Sequence, residues 1–361
     1  SSWDEDLNQL VIVSAVLKGR ICVVDDTRRY ELQDSHIGKL THAGDGGSAP
    51  EHGNFKVKTT NGEILELDLT NVEQVEEWVN NNYISVQVSG SDETIAQLKV
   101  ELNTVEEVIS YGGPQIHTEN GVFNINGYQL GTPNLIKIPD YLPEWVTNMS
   151  YFLYNATKFN QPLNLDTSKV TTMSNFLLLA TSFNSPINLD TSKVTSMHSF
   201  LSGASKFNQP LELDTSNVTN MGYFLKDATS FNQPLNLDTS NVTDMGNFLR
   251  DASSFNQPLE LNTGKVTKMH GFLAGASSFN QPLNLDTSKV TIMDSFLYEA
   301  SSFNSPIDLD TSNVTSMASF LSEASSFNQP LNLDTSKVIN MNSFLLLATS
   351  FNSPINLDTS K

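Results

Sequence analysis

Asp166, Asp190, Asp214, Asp238, Asp286, Asp310, Asp334 and Asp358 stand on one 24-residue period, broken where Asn262 replaces the acid. Two positions before each comes a second polar column: Asn164, Asn188, Glu212, Asn236, Glu260, Asn284, Asp308, Asn332 and Asn356. If every copy places these residues on a stacked strand, like charges lie about 5 Å apart and repel by roughly 1 kcal/mol per neighbour in water. Such a strip is a candidate for weak, multivalent cation binding, calcium in particular, or for a periodic ligand such as a glycan. Calcium takes about six to eight oxygens, more than a flat carboxylate column supplies, so the expected affinity is millimolar. The plainer alternative is that nearby Thr, Ser and Lys donors absorb the charge and the strip is a solvated scaffold face.

Other reactive side chains are sparse. His36, His42 and His52 lie near Asp45 and Glu51, a set that could gather around a metal ion. Their spacings of 6 and 10 match no tight ligand motif, and a solvated glycine-rich loop is the favoured reading. That loop also lacks the GK[ST] ending of a phosphate loop. Asp25-Asp26 has no partner pattern and reads as a turn. Cys22 is the single cysteine, so no internal disulfide can form; among Ile21, Val23 and Val24 it reads as a small buried hydrophobe. Asn160 and its counterparts always follow Phe, which suits an Asn ladder bridging backbone groups between coils at a corner. The NVT sequons at Asn217, Asn241 and Asn313 arise from the repeat and imply glycans only in a eukaryotic secretory host. No catalytic residue, cofactor or fixed metal site emerges, and the chain is expected to be non-enzymatic.

The period dictates what must position the acids. Every Met from 149 to 341 lies 24 residues from the next, and Phe keeps the same step in two columns, 152 to 344 and 159 to 351. Repetition at roughly 20–50 residues marks a solenoid or a propeller, and a propeller blade needs about 40. In the copy at 159–182, Leu163-Asn164-Leu165-Asp166 alternates apolar and polar, which predicts a short strand with Pro162 at its tolerated first position. Val170, Met173, Phe176, Leu177 and Ala180 then share one face of a predicted helix, with Ser168 as its N-cap. The fold class that follows is an α/β solenoid of leucine-rich-repeat type, with one short strand and one helix per 24-residue coil and a parallel sheet. Packed helices sit about 8–10 Å apart and strands about 4.8 Å, so the stack is expected to curve with its strands on the concave side. The pairs Leu178-Leu179, Ser202-Gly203, Lys226-Asp227, Arg250-Asp251, Tyr298-Glu299 and Leu346-Leu347 differ sharply between copies and are expected on the outer helix face.

Residues 1–134 read as an α+β domain for attachment or assembly, 135–158 as an irregular first coil, and 159–361 as the solenoid. In the first part, 10–17 and 20–25 read as strands, and 55–60 and 63–69 flank the hairpin signal Asn61-Gly62. Thr70 and Glu73 form a capping box ahead of a helix through Val79, and 83–88 reads as a strand. Residues 94–102 and the segment opened by Thr104 and Glu107 read as helices, and 123–125 with 128–130 surround Asn126-Gly127 as a second hairpin.

The strings FNQPLNLDTSNVTDMGNFL and SSFNQPLNLDTSKVT resemble the BspA-like leucine-rich repeats of bacterial surface proteins. More closely, they resemble the subfamily found in mycoplasma surface lipoproteins, over residues 145–361. That family usually carries Trp where this chain has Leu165 and its equivalents, which thins the core. The resemblance implies a surface-exposed adhesion or interaction role without catalytic residues.

Composition narrows the partners. The 361 residues hold 20 Lys+Arg against 40 Asp+Glu, a formal charge of −20. Phosphate binding needs clustered bases, so nucleic acid is not an expected partner. The longest apolar stretch, 10–17, is interrupted by Ser14 and too short to span a bilayer, and no charged-then-apolar leader opens the chain. The expected place is a cell surface, the extracellular space or a virion surface. There the N-terminal domain would anchor and the solenoid project, contacting a surface glycan, a protein ligand or other subunits of a surface or virion assembly. The alternatives are a phage fibre or decoration protein and an enzyme in the N-terminal domain. The copies beginning at 159 and 327 agree at 20 of 24 positions, and 183–193 is identical to 351–361, so copy number is expected to be labile. No polar capping unit precedes residue 361, so a continuing chain or another element is expected to cover that end.

Overall fold

In a computed structural model of the chain, the described residues are 21–25, 28–31, 55–67, 83–89, 95–100, 105–111, 133–142 and 146–357. The expected strand at 10–17, the helix after Thr70, the hairpin at 123–130, the loop bearing His36, His42 and His52, and Asp358 lie outside them. The chain divides into two compact units, Ser1–Gln161 and Pro162–Lys361.

In the first unit, β1 (Ile21–Asp25) and β2 (Arg28–Glu31) pair antiparallel, with Cys22 opposite Tyr30. β3 (Phe55–Thr59) and β4 (Ile64–Leu67) form the hairpin signalled by Asn61-Gly62, where Gly62 takes the left-handed φ of 89° that the turn requires. β5 (Tyr83–Ser89) pairs antiparallel with β6 (Ile95–Val100), and β7 (Val105–Tyr111) joins β3 in a sheet of order β4-β3-β7. Both helices expected at 94–102 and after Thr104 are therefore strands. Ala96, Leu98 and Val100 alternate with Gln97 and Lys99, and Val86 and Val88 face Leu98 and Ala96 across the pair. Cross-strand pairing overrides the helical preference of Ala, Gln, Leu and Lys.

β7 has a second task. On its other side the Val108 N–H donates to the Lys137 carbonyl at 3.0 Å, and the Ile136 N–H donates to the Glu106 carbonyl at 2.8 Å. Tyr111, fully buried, meets Tyr141 edge-on at 5.6 Å and Phe152 at 6.5 Å. The first coil, whose core holds Leu135, Ile138, Val146, Met149 and Phe152, is thus covered by a strand. A terminal repeat needs such a cover to shield its backbone and apolar edge.

In the second unit the 24-residue copies stack in register: Thr172 bridges Ser196 in parallel, Ser196 bridges Asn220, and so on to Asn340. β8 (Leu163–Leu165) pairs in parallel with β9 (Ile187–Leu189), and β10 (Leu331–Leu333) with β11 (Ile355–Leu357). Coils between them keep both apolar residues of this segment buried, as at Leu211 and Leu213.

The helix expected in each coil is absent, as is any helix among the described residues, which overturns the leucine-rich-repeat-type α/β class. The inward residues are those expected: Val170, Met173, Phe176, Leu177 and Ala180 are fully buried. Their backbone is not helical because its donors point elsewhere. The N–H groups of Met173, Asn175, Leu177 and Leu179 donate to Ser196, His198, Phe200 and Ser202 of the next coil, at 2.7–3.0 Å. Those of Phe176, Leu178 and Ala180 close turns onto Met173, Asn175 and Leu177. An α-helix needs the former donors for its own i−4 carbonyls. Asn175 and Leu179 also take left-handed φ values of 59° and 61°, and the same two positions are left-handed in every later copy, to Ser343 and Leu347. Turns separated by left-handed residues give the same apolar spacing as a helix face, which is why spacing alone misleads here.

Two phenylalanine columns fill the core. Rings from Phe176 to Phe344 stack with centroids 5.3–5.6 Å apart, and those from Phe183 to Phe351 at 5.8–6.1 Å. These steps are close to a strand spacing. Among the described residues there are no packed helices at about 8–10 Å, the spacing on which the expected curvature rested.

Candidate functional site

The aspartate column builds corners. Oδ1 of Asp166 accepts the Ser168 N–H at 3.1 Å, and Asp190, Asp214, Asp238, Asp286, Asp310 and Asp334 accept their own Ser at 2.9–3.0 Å. The Ser192, Ser216, Ser288 and Ser312 hydroxyls donate to the same oxygens at 2.6 Å. Ser168 is therefore the donor in an Asx turn and not a helix cap. Hydrogen bonds from the Ser hydroxyl and then the Ser backbone hold the carboxyls of Asp166, Asp190, Asp238, Asp286, Asp310 and Asp334 below the usual range. The column remains exposed, so the remaining carboxylate oxygen of each residue can meet an outside ion. The structure thus brings the predicted strip together up to Asp334 and gives it a task inside the coil.

Just beyond lies a column that the sequence reading passed over. Thr167, Thr191, Thr215, Thr239, Thr263, Thr287 and Thr311 are buried, and each hydroxyl donates to the carbonyl 23 residues on, at 2.6–2.8 Å. The signal was present: the inward alternation of Leu163 and Leu165 runs one step further, to Thr167. The expected Asn ladder is present from Asn184 to Asn352, the side-chain oxygen of each Asn from 184 to 328 accepting the next copy's backbone N–H at 2.7–2.9 Å. The sequon residues are engaged too. Asn217, Asn241 and Asn313 donate through Nδ2 to Ser192, Ser216 and Ser288 carbonyls at 2.6–2.7 Å.

The variable residues occupy one wall made of turns. Lys226 pairs with Asp227, and Arg250 with Asp251 at 3.5 Å. Burial, then the neighbouring Asp227, pushes the Asp251 carboxyl up. Hydrogen bonding to Glu299, followed by burial, pushes the Tyr298 hydroxyl up to about 12. On the same wall the His198 and Tyr223 rings lie 5.2 Å apart, and Leu179 is exposed. Among the described residues, no three His, Cys, Asp or Glu side chains come together to hold a metal ion. No helix among them is long and apolar enough to cross a membrane.

A family model described as a Mycoplasma protein of unknown function, DUF285, matches residues 129–237, 188–285, 235–310 and 283–361 in overlapping tandem. No curated protein and no solved structure matches the chain.

Proposed function

The chain belongs to the Mycoplasma DUF285 family, and on that premise we propose that it is a non-enzymatic, surface-exposed repeat protein for adhesion or binding, its contacts made by the variable turn wall. One observation carries this reading. The uniform columns are accounted for by bonds within and between coils: Asp to Ser, Thr to carbonyl, Asn to backbone. Sequence freedom falls on the wall that carries Lys226, Asp227, Arg250, Asp251, Tyr298 and Glu299. A scaffold that fixes its backbone with repeated columns and varies one partly exposed wall suits recognition of an irregular surface. The likeness to BspA-like surface repeats supports the same role at the level of sequence pattern, without the strand-and-helix coil. On this reading the first unit anchors and the stack projects from a cell surface.

The test is capture of the full chain on a glycan array and on immobilised extracellular-matrix proteins. Changing Lys226, Asp227, Arg250 and Asp251 together to Ala should reduce capture at least about tenfold, since a few residues dominate an interface. The variant's melting temperature should stay near that of the parent, because exposed ion pairs contribute little. Undiminished capture by this variant, or capture by neither surface, would overturn the proposal.

A further inference from the structure

The coil at residues 255–278 departs from its neighbours at the rim and not in the core. Asn262 stands where every other described coil of the stack has Asp, and Gly264 where the others have Ser. The corner bond survives as Gly264 N–H to the neutral Asn262 oxygen at 3.2 Å. On either side the same bond reaches a carboxylate at 3.0 Å, at Asp238 and Asp286, and the Ser288 hydroxyl adds a second of 2.6 Å. Charge-assisted hydrogen bonds are about twice as strong as neutral ones.

Of the glycines in this coil, only Gly264 adds to the deficit. Gly264, Gly271 and Gly275 all fall in this coil, and each widens the ensemble reached on local opening. Gly271 and Gly275 take left-handed φ values of 60° and 69°. There they relieve strain that other coils carry, so their two effects offset and the deficit rests on the corner at 262–264. The core, by contrast, runs through without a break. Phe272 stacks on Phe248 at 5.6 Å and on Phe296 at 5.4 Å, and Phe255 on Phe279 at 6.0 Å. The threonine ladder also continues, Thr239 to the Asn262 carbonyl at 2.6 Å and Thr263 to the Asp286 carbonyl at 2.8 Å.

We propose that this coil is a built-in yielding point: its rim opens before that of any other interior coil, while the phenylalanine columns keep the stack joined. Bending or proteolytic attack on the stack therefore begins at 262–266. Amide hydrogen exchange on the full chain tests it. The reporter is Val266, whose N–H closes the corner turn onto Thr263 at 2.9 Å; Val194, Val218, Val242, Val290 and Val314 make the equivalent bond at 3.0 Å. The protection of Val266 should be about tenfold lower than theirs, the difference expected between a neutral and a charge-assisted bond. The double change Asn262→Asp and Gly264→Ser should raise Val266 to the level of its neighbours. Equal protection across these valines in the parent chain, a readout that needs no variant, would overturn the proposal, as would a folded double variant with no gain at Val266.

Discussion

Phe248 is fully buried between Phe224 at 5.5 Å and Phe272 at 5.6 Å. Phe248→Ala removes both stacked contacts and leaves a cavity that rings above and below cannot collapse into, so it should cost about 3–5 kcal/mol in urea unfolding. A loss under about 1 kcal/mol would contradict the packing described. The aspartates argue through charge instead. Like-charge repulsion along the column suggests that neutralising it should stabilise the stack, but the corner bonds reverse that sign. Because folding lowers these carboxyls below their unfolded value, their contribution is complete above about pH 4 and is lost as pH falls through the folded pKa. Changing Asp190, Asp238, Asp286 and Asp310 together to Asn should lower the melting temperature at pH 7. It should also flatten the fall in melting temperature between about pH 5 and pH 2. A variant that melts higher than the parent at pH 7 would restore repulsion as the dominant effect. Millimolar calcium at matched ionic strength should leave the parent's melting temperature unchanged if the corner bonds are the column's whole task.

At the scale of the coil, the buried threonines carry what a helix would otherwise supply. Thr239→Val keeps the shape but takes from the Asn262 carbonyl its 2.6 Å donor, a bond that runs from a buried hydroxyl to the backbone of an exposed residue. The expected cost is about 0.5–1.5 kcal/mol. Thr243→Val, on an exposed hydroxyl 3.3 Å from its acceptor, should cost much less. A chemical-denaturation series that ranked the two the other way would remove the threonine ladder from the account. These threonines also mark the limit of what the sequence discloses. The period, the inward residues, the asparagine ladder and the hairpin at Asn61-Gly62 were all legible, because each depends on residue type and spacing. The wall from Val170 to Ala180 was not. Turns joined through left-handed Asn175 and Leu179 place side chains inward at the same offsets as a helix. The deciding quantity is where the Met173, Asn175 and Leu177 N–H groups go, and they go to the next coil. β7 hid for a related reason, since its partner β3 is remote in sequence, whereas β6 lies just after its partner β5 and was hidden by the helical preference of its Ala, Gln, Leu and Lys. The role of the aspartates was half legible: their column could be read, but its bond to Ser two residues on was masked by the apparent N-cap.

At the scale of the molecule, inter-coil bonds among the described residues of the stack join residues about one period apart, from Thr191 onto the Asp214 carbonyl to Asn352 onto Asn328. Each interior coil therefore presents nearly the same two faces, and stability is close to a sum of like interfaces. Removing one whole period should bring matching faces together, whereas removing a period less one residue should misalign every column beyond the cut. Deleting residues 231–254 joins Ser230 to Phe255 and places Phe224 in register with Phe272, and Asn208 with Asn256. Deleting 231–253 shifts Phe, Thr and Asp columns by one position, which turns inward side chains out. The first variant should keep the parent's oligomeric state on sizing chromatography, with circular dichroism per residue unchanged and a modest loss of stability. The second should aggregate, or unfold at much lower denaturant. If the two variants behaved alike, stacking in register would not be what holds the second unit together. If the in-period variant alone failed, specific pairs such as Lys268 with Asp244 would have to carry more of the stability than the shared columns.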